Sequence, residues 1–303
     1  MAKKHLNQIH LNALVNEAMA IEAQAAQDAG AVGYMARALA QATIPHSKKD
    51  GNEFVRKNGH FTLTIVAPSN IGLPYGSLPR LLLVWVATEA VRTRECTLIM
   101  GENLSDFMRQ LDLMPTGGVK GDITRLREQI KRLFSCMIRY TYNGQPKSWQ
   151  DGGFCFAYKS FLWWDEAKLD GLEGKGSKLI KLDDAEDTRP RVVLTQEFFK
   201  EITTRPAPVD LRAVKILKQS PMALDIYCWL TYRMSYLGKP TLIPWEALEM
   251  QFGSDYTRTR AFKEAFIGHL KAVHVVYPQA RLDVTPLGLK LLPSPTHVGK
   301  RPR

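Results

Sequence analysis

Hydrophobic residues in the last quarter of the chain change their spacing several times, which predicts a short series of helices and strands. Helical spacing over residues 221–237 predicts a helix that Ser220 caps and Gly238 ends. A short extended piece follows, and Pro244 then begins a second, shorter helix.

The third helix of this series is predicted to have one buried and one basic side. Residues 253–255 are expected to end the second helix and to cap the third. At 100° per residue, four apolar residues fall within a sector of about 80° and form the predicted buried stripe: Phe262, Phe266, Leu270 and Val273. The opposite side presents Thr257, Arg260, Glu264 and Lys271, with Arg258 and Lys263 on its flanks.

Extended segments are predicted after the third helix. Residues 274–277 and 281–284 are expected to be two strands around a turn at 278–280, and residues 287–292 a further extended run. Helix, strand, helix, turn, basic helix and hairpin is the order of a winged helix-turn-helix. In that arrangement the third helix enters the major groove of DNA, and the hairpin contacts the backbone beside it.

The same plan recurs earlier in the chain, over residues 79–142. Trp85 stands twelve residues before an extended Thr-Leu-Ile piece, and Trp229 stands twelve residues before a second one. Leu104 corresponds to Leu248 at the same offset of 144. Further on, the offset drops to 136, at which Leu126, Ile130, Phe134 and Met137 correspond to Phe262, Phe266, Leu270 and Val273. An ordered set of matches indicates two copies of one architecture.

The first copy also has a basic third helix, predicted over residues 122–140. Its cations are Arg125, Arg127, Lys131, Arg132 and Arg139, of which the last three are predicted to face away from the apolar stripe. These residues fit a DNA-contacting surface, and they fit a solvated or dimer-facing surface equally well. The hairpin after this helix is predicted to pair residues 138–142 with 154–158 through a loop at 143–153.

The segments outside the two copies carry weaker patterns. Residues 5–42 are alanine-rich and predict one or two helices, either a partner-binding arm or a loosely packed extension; residues 45–58 predict a polar, basic linker. Residues 161–164 are apolar and mostly aromatic, which favours a buried piece over a surface that stacks on bases. Between the copies we expect an exposed linker over residues 165–189, a strand at 191–194, and helices at 196–204 and 210–217.

Charge narrows the class of partner. With 303 residues there is room for about two domains, and the formal net charge is +11. From residue 205 to the end there are 15 Lys and Arg and 7 Asp and Glu, so this part holds most of the excess positive charge. The balance favours nucleic acid as the partner, although charge by itself does not separate nucleic acid from a membrane surface.

The sequence shows no motif typical of catalysis, metal binding or a membrane span. The four cysteines are scattered without a Cys-x-x-Cys pair, which disfavours a zinc site and favours reduced thiols in a cytoplasmic, soluble protein. Residues 171–178 approach a phosphate-binding loop, but Ser precedes Lys there instead of following it. No two histidines are separated by one residue, as nickases require. We therefore expect a binding protein without cofactor, metal, catalytic residue or membrane span.

Several segments, taken together, resemble the plasmid replication initiators of the RepA type, a family that shares a RepA C-terminal domain. They are residues 36–64, 71–93 with the run IGLPYGSLPRLLLVWVATEAVRT, 115–135, 220–234 and 252–263 with the run FGSDYTRTRAFK. The resemblance implies a protein that binds directly repeated sites at an origin and recruits the host initiator and replicative helicase. It also implies two winged helices, a monomer–dimer equilibrium and repression of the protein's own gene.

By this resemblance, Arg258, Arg260 and Lys263 become the readers of bases and phosphates. By residue type alone, they also fit a solvated helix face. The full set of expected DNA contacts is Thr257, Arg258, Arg260, Lys263, Lys271 and Arg281 in the second copy, and Arg125, Arg127, Lys131 and Arg132 in the first. The binding partner is double-stranded DNA at the plasmid origin repeats.

The expected fold is mixed α+β and mainly helical, with two tandem winged-helix domains after an N-terminal helical arm. The predicted divisions are the arm and linker at 1–58, the first domain at 59–164, a connecting segment at 165–204, and the base-reading domain at 205–303. Two other functions stay open at this stage: a dimeric winged-helix transcriptional repressor without origin function, and a nucleic-acid enzyme such as a nickase or primase.

Overall fold

The computed structural model describes residues 18–22, 24–116, 121–144, 148–161, 189–253 and 256–299. Its helices are α1 (Arg37–Gln41), α2 (Ser77–Thr93), α3 (Leu104–Gln110), α4 (Asp122–Ser135), α5 (Gln196–Thr204), α6 (Leu211–Leu217), α7 (Pro221–Met234), α8 (Trp245–Phe252) and α9 (Thr259–Val276). Its strands are β1 (Val32–Met35), β2 (Glu53–Asn58), β3 (Phe61–Val66), β4 (Thr97–Ile99), β5 (Met137–Gly144), β6 (Ser148–Cys155), β7 (Ala157–Phe161), β8 (Arg191–Leu194), β9 (Ala207–Asp210), β10 (Thr241–Pro244), β11 (Leu282–Val284) and β12 (Gly288–Leu291).

The described strands form small antiparallel sheets among the helices. Their orders are β1-β9, β2-β3-β5-β6, β4-β8-β7 and β10-β12-β11. The protein is therefore mixed α+β, as expected. One continuous cluster of buried apolar residues runs from the first copy into the second.

The last quarter of the chain follows the predicted order of elements. The Ser220 hydroxyl accepts a hydrogen bond from the Ala223 amide at 3.1 Å and so caps α7, as predicted. In the small sheet, Ile243 pairs with Leu289, and Val284 pairs with Leu289 from the other side. The β11–β12 hairpin is thereby joined to β10.

Three boundaries in this part were predicted wrongly. Helix α7 ends at Met234 with Ser235 as its C-cap, so Gly238 does not end it. Helix α9 begins after Arg258, so the predicted cap at residues 253–255 is wrong; residues 254 and 255 themselves lie outside the described part. Residues 274–276 are helical, not a strand. The run of valines favours a strand locally, but Val273 and Val276 are three residues apart and both stay buried on the helical stripe.

The first copy shares the helical core of the second but differs in its sheet. Trp85 of α2 packs edge-on against Phe107 of α3 at 4.8 Å, and Trp229 of α7 packs likewise against Phe252 of α8 at 5.5 Å. Strand β4, however, pairs with β8, whereas the β5–β6 hairpin pairs with β3. The match of the sequences thus predicted the order of the helices, but not all of their ends, and gave no information on strand pairing.

The hairpin of the first copy is longer than expected. Strands β5 and β6 continue to residues 144 and 148, so most of the predicted loop at 143–153 is strand. Helix α4 ends at Ser135, not at residue 140. Met137 therefore lies on β5 with 43% of its side chain exposed, and its predicted place in the buried stripe is wrong.

Part of the N-terminal region is built into the core. Strand β1 pairs with β9, with Val32 opposite Asp210, and three residues of α1 are buried: Ala38, Leu39 and Ala40. A loosely packed extension is therefore wrong for residues 32–41. The predicted linker at 45–58 is also wrong in its second half, which forms β2. The predictions for residues 1–17, 162–164 and 165–188 fall outside the described residues.

Most connecting elements before α7 were predicted correctly; strand β9 was not, and α6 begins at Leu211, one residue later than expected. Strand β8 and helix α5 have the expected bounds, and the Thr195 hydroxyl accepts from the Phe198 amide at 3.3 Å to cap α5. The Asp210 carboxylate accepts from the Arg212 amide at 2.9 Å and caps α6 in the same way. In both helices the side-chain oxygen just before the apolar run marks the first turn, as its residue type predicts.

A buried ion network joins the two copies. The Arg80 guanidinium on α2 donates two hydrogen bonds to the Asp225 carboxylate on α7, at 2.7 and 2.6 Å. His46 bonds to the same carboxylate through Nε2 at 2.7 Å. Arg80 also donates to three backbone carbonyl oxygens, those of Ile44, Pro45 and Gly76. A charged group buried this deeply is tolerated only when it is fully paired.

A contact between the second copy and the N-terminal region lies beside this network. The Gln251 side chain at the end of α8 donates to the Gln41 carbonyl at 2.7 Å, and the Thr43 hydroxyl donates to the Gln251 carbonyl at 3.4 Å. Helix α8 also packs against β2. Because α9 packs on both α7 and α8, these contacts fix its orientation relative to the N-terminal region.

Stability is expected to fall as the pH is lowered from 7 to 5. Burial lowers the pKa of three histidines, His46, His269 and His297, that of His297 to about 4. These side chains therefore bind a proton less readily in the folded protein than in the unfolded chain, where the ordinary value is 6.5. The unfolded state thus binds more protons below that pH, which favours unfolding. Urea midpoints at pH 7, 6 and 5 measure the effect; midpoints that do not change would contradict it.

Candidate nucleic-acid interface

Helix α9 is anchored on one side and free on the other. Phe262 and Phe266 are fully buried, with their ring centroids 5.5 Å apart, and Leu270 and Val273 continue the stripe as predicted. On the opposite side, 90% of the Arg260 side chain is exposed. Arg260 Nε lies 3.1 Å from a Glu264 carboxylate oxygen one turn later. An exposed pair of this kind contributes little to stability, so Arg260 is free to exchange Glu264 for another acceptor.

The two predicted contacts before Arg260 lie ahead of the helix. Arg258 is the N-cap residue in extended conformation, and Thr257 precedes it; both are exposed. Their predicted place on the helix is therefore wrong, because α9 starts later than the sequence indicated. They lie at its N-terminus, where the backbone N–H groups point outward and favour an anion.

Lys263 lies against an aromatic ring that also supports the hairpin. Its Nζ is 4.9 Å from the centre of the Trp245 ring. The indole N–H of Trp245 donates to the Thr285 carbonyl at 3.1 Å, and the indole packs edge-on against Phe266. Trp245 thus connects the hairpin to the basic side of α9. The sequence gives no sign of this contact, because its partners are forty residues apart.

The remaining predicted contacts of the second copy are exposed. Lys271 lies on α9 in a shallow groove that Leu282 and Val284 of β11 also line. Arg281 stands just before β11, where its amide donates to the Ser294 hydroxyl at 2.9 Å and its guanidinium donates to the Pro293 carbonyl. Arg281 is therefore held toward the C-terminal segment and is a less mobile contact than Lys271.

The basic residues of α4 divide into two kinds. Lys131 and Arg125 are exposed, and Arg125 pairs with Asp122 at 3.0 Å. Arg127 is half-buried; two of its nitrogens are enclosed and have no hydrogen-bond partner among the described residues. Only Lys131 and Arg125 are placed to contact a phosphate without rearrangement.

Arg132 packs inward, contrary to prediction. Its side chain is 17% exposed, and its guanidinium donates to the Leu73 carbonyl at 3.2 Å and lies over the Tyr75 ring. Gly72, at a φ of +81°, permits this, because a Cβ there would lie 2.8 Å from Arg132 Nη1. The loop before α2 therefore covers this end of α4, which the helical wheel of α4 does not reveal.

No three histidine, cysteine or acidic side chains come together as a metal site within the described ranges. None of the helices that the structure describes is both long and apolar enough to cross a bilayer.

Residues 73–245, more than half of the chain, match the family described as plasmid encoded RepA protein. The chain belongs to the family of plasmid-encoded RepA proteins. Two solved structures of RctB are also similar in arrangement. A crystal structure of RctB domains 2–3 is 13% identical with a TM-score of 0.45, covering 77% of this chain and 81% of that one. A structure of selenomethionine derivatives of RctB domains 2 and 3 is 15% identical with a TM-score of 0.47, covering 76% and 79%. No curated protein matches the chain.

The RepA match covers the first copy and the junction but stops before α9. Its span includes α4, the Arg80–Asp225 pair and β10, and it ends at Trp245. The match therefore shows the family of the chain, whereas the DNA contacts predicted for residues 257–281 lie outside the matched span.

Proposed function

We propose that this protein is a DNA-binding initiator of plasmid replication, which binds repeated sites at its origin and recruits the host initiator and helicase. The main support is the basic, solvent-facing side of α9, which is centred on the exposed Arg260. The membership of the chain in the RepA family is the second support. On this proposal the protein exists as monomers and dimers, and it also represses its own gene.

The finer form of the proposal is that both copies act as winged helices. For residues 205–303 it is supported by the order β10-β12-β11, which places a hairpin beside α9. For residues 59–164 the support is weaker, because β4 pairs with β8 and not with the hairpin after α4. On the proposal the first copy therefore supplies backbone contacts and dimerisation, and the second copy supplies sequence recognition.

Recognition follows from the chemistry of the two kinds of cation. A guanidinium can donate two parallel hydrogen bonds to O6 and N7 of guanine, whereas a lysine beside the groove meets a phosphate and adds affinity without sequence information. Arg260 suits the first role because it projects from the first turn of α9. Since both copies are on one chain, binding of the second is intramolecular once the first is bound.

The contribution of the first copy is expected to appear in the salt dependence of binding. Removing two phosphate contacts by Lys131→Ala with Arg125→Ala should weaken binding to all DNA sequences. It should also flatten the plot of log affinity against log salt by about 2 units, because fewer counterions are released. Fluorescence anisotropy at several salt concentrations measures this slope.

Arg92→Ala provides the control for that pair of changes, because Arg92 is also an exposed arginine in a helical ion pair, with Glu89. Its slope should equal that of the wild-type protein. If the double variant had the wild-type slope, Lys131 and Arg125 would not be phosphate contacts.

A replication assay tests the initiator function itself. A circular DNA that carries the region next to this gene, but no other origin, is introduced into cells with or without the protein supplied in trans. Maintenance that requires the wild-type protein supports the proposal. Binding to the same region without maintenance would favour a transcriptional repressor.

A further inference from the structure

The turn between β11 and β12 exposes apolar side chains and carries no charge. Its sequence over residues 284–289 is Val-Thr-Pro-Leu-Gly-Leu. The Leu287 side chain is 73% exposed, Val284 is 50% exposed, and Pro286 between them is also exposed. A hairpin that only met phosphates would be expected to present Lys, Arg or hydroxyl groups at this position.

The turn is held rigidly in this form. The Thr285 hydroxyl donates to the Gly288 carbonyl at 2.8 Å and accepts from the Gly288 amide at 3.1 Å. A Cβ at Gly288 would lie 2.1 Å from the Ile243 carbonyl oxygen, so only glycine fits against β10 there. The exposure of Leu287 is thus a fixed feature of the hairpin.

The turn also has a fixed position beside the basic side of α9. Trp245 contacts it twice, through its indole N–H to the Thr285 carbonyl at 3.1 Å and through its amide to the Leu287 carbonyl at 3.4 Å. The other side of the same indole lies under Lys263. An α9 seated in a major groove therefore brings Leu287 to the adjoining stretch of the duplex.

We propose that Pro286 and Leu287 form an apolar wedge that enters the minor groove next to the site of α9 and kinks the DNA there. Proline and leucine are among the side chains that part stacked bases in this way, with bends of about 20–90°. Flexible pyrimidine–purine steps yield most easily. This inference rests on the proposed DNA-binding function and adds a mechanical role: the protein deforms the DNA at a step that no hydrogen bond specifies.

The test compares Leu287→Ala with Leu242→Ala as the matched control. Leu242 is 44% exposed on β10 of the same sheet, but it pairs with Lys290 on β12 and not with a residue of the turn. The DNA is a site protected by the wild-type protein next to its gene, placed at different positions along equal fragments, so that gel mobility reports the bend. Leu287→Ala should reduce the bend and weaken specific binding on the order of tenfold, as the loss of one buried leucine does.

Binding to random DNA should be unchanged in Leu287→Ala, and Leu287→Met, which keeps an apolar side chain, should restore most of the bend. Leu242→Ala should behave as the wild-type protein. A wild-type bend in Leu287→Ala, or an equal loss in Leu242→Ala, would overturn the wedge while leaving DNA binding in place. If the wild-type protein protects no site at all, the proposed function fails, and the wedge fails with it.

Discussion

Asp225→Ala is expected to lower the free energy of unfolding by about 3–5 kcal/mol, the range found when one partner of a buried ion pair is removed. The change would leave the Arg80 guanidinium, 3% exposed, without its counter-charge in the interface between the copies. It would also leave His46 without its acceptor. Urea unfolding followed by circular dichroism measures the loss.

Burial by itself would raise the pKa of the Asp225 carboxyl, but Arg80 and His46 outweigh burial and lower it below the ordinary value of 3.8. A carboxyl with a lowered pKa stabilises the folded state above its ordinary value and loses that contribution as the pH falls through the lowered one. The difference between wild type and Asp225→Ala should therefore be full at pH 7 and should shrink only below about pH 4.

Asp151→Ala is the control for this prediction, since Asp151 pairs with Arg139 on the surface at 2.6 Å. That change should cost about 1 kcal/mol at most. The loss for Asp225→Ala combined with Arg80→Ala should be smaller than the sum of the two single losses, because the residues act on each other. Additive losses, or a cost for Asp225→Ala no larger than that of the control, would show that the network does not hold the copies together.

Arg260→Ala is expected to weaken binding to the specific site about 10–100-fold, equivalent to about 1–3 kcal/mol for one bidentate contact with guanine. The affinity for random DNA should fall much less, because there Arg260 contributes only the attraction of its charge to the phosphates. Titration of both DNAs under the same salt conditions gives the two ratios. Arg260→Lys should lose nearly as much specificity as Arg260→Ala, since an ammonium group cannot make the paired contact.

Lys271→Ala is the matched comparison for Arg260→Ala. It removes one exposed cation from the same helix, and both DNAs should weaken by the same modest factor. Equal losses on specific and random DNA for Arg260→Ala would make Arg260 a phosphate contact and contradict its role in recognition.

The helices of the second copy could be predicted because their signals are local. The stripe from Phe262 to Val273 lies within one helix, and Ser220 lies beside the turn that it caps. The start of α9 was missed because Asp255 is a better cap by residue type than Arg258, which caps it in extended conformation without a side-chain bond.

Contacts between distant residues could not be predicted in this way. Arg80 and Asp225 are 145 residues apart, and nothing in either helix indicates that it will pair with the other. The pairing of β4 with β8 and the burial of Arg132 under the loop at 72–75 depend equally on segments that meet only in the folded chain. For the candidate site, the sequence supplied the exposed cations of α9, whereas the link through Trp245 and the rigid apolar turn required the structure.

A DNase footprint of the protein on the DNA flanking its gene tests origin recognition most directly. We expect directly repeated protections at regular spacing beside an AT-rich stretch, which Arg260→Ala abolishes at concentrations where the wild-type protein fills them. A single inverted-repeat protection over the promoter, or protection no stronger than on random DNA, would contradict origin recognition by this protein.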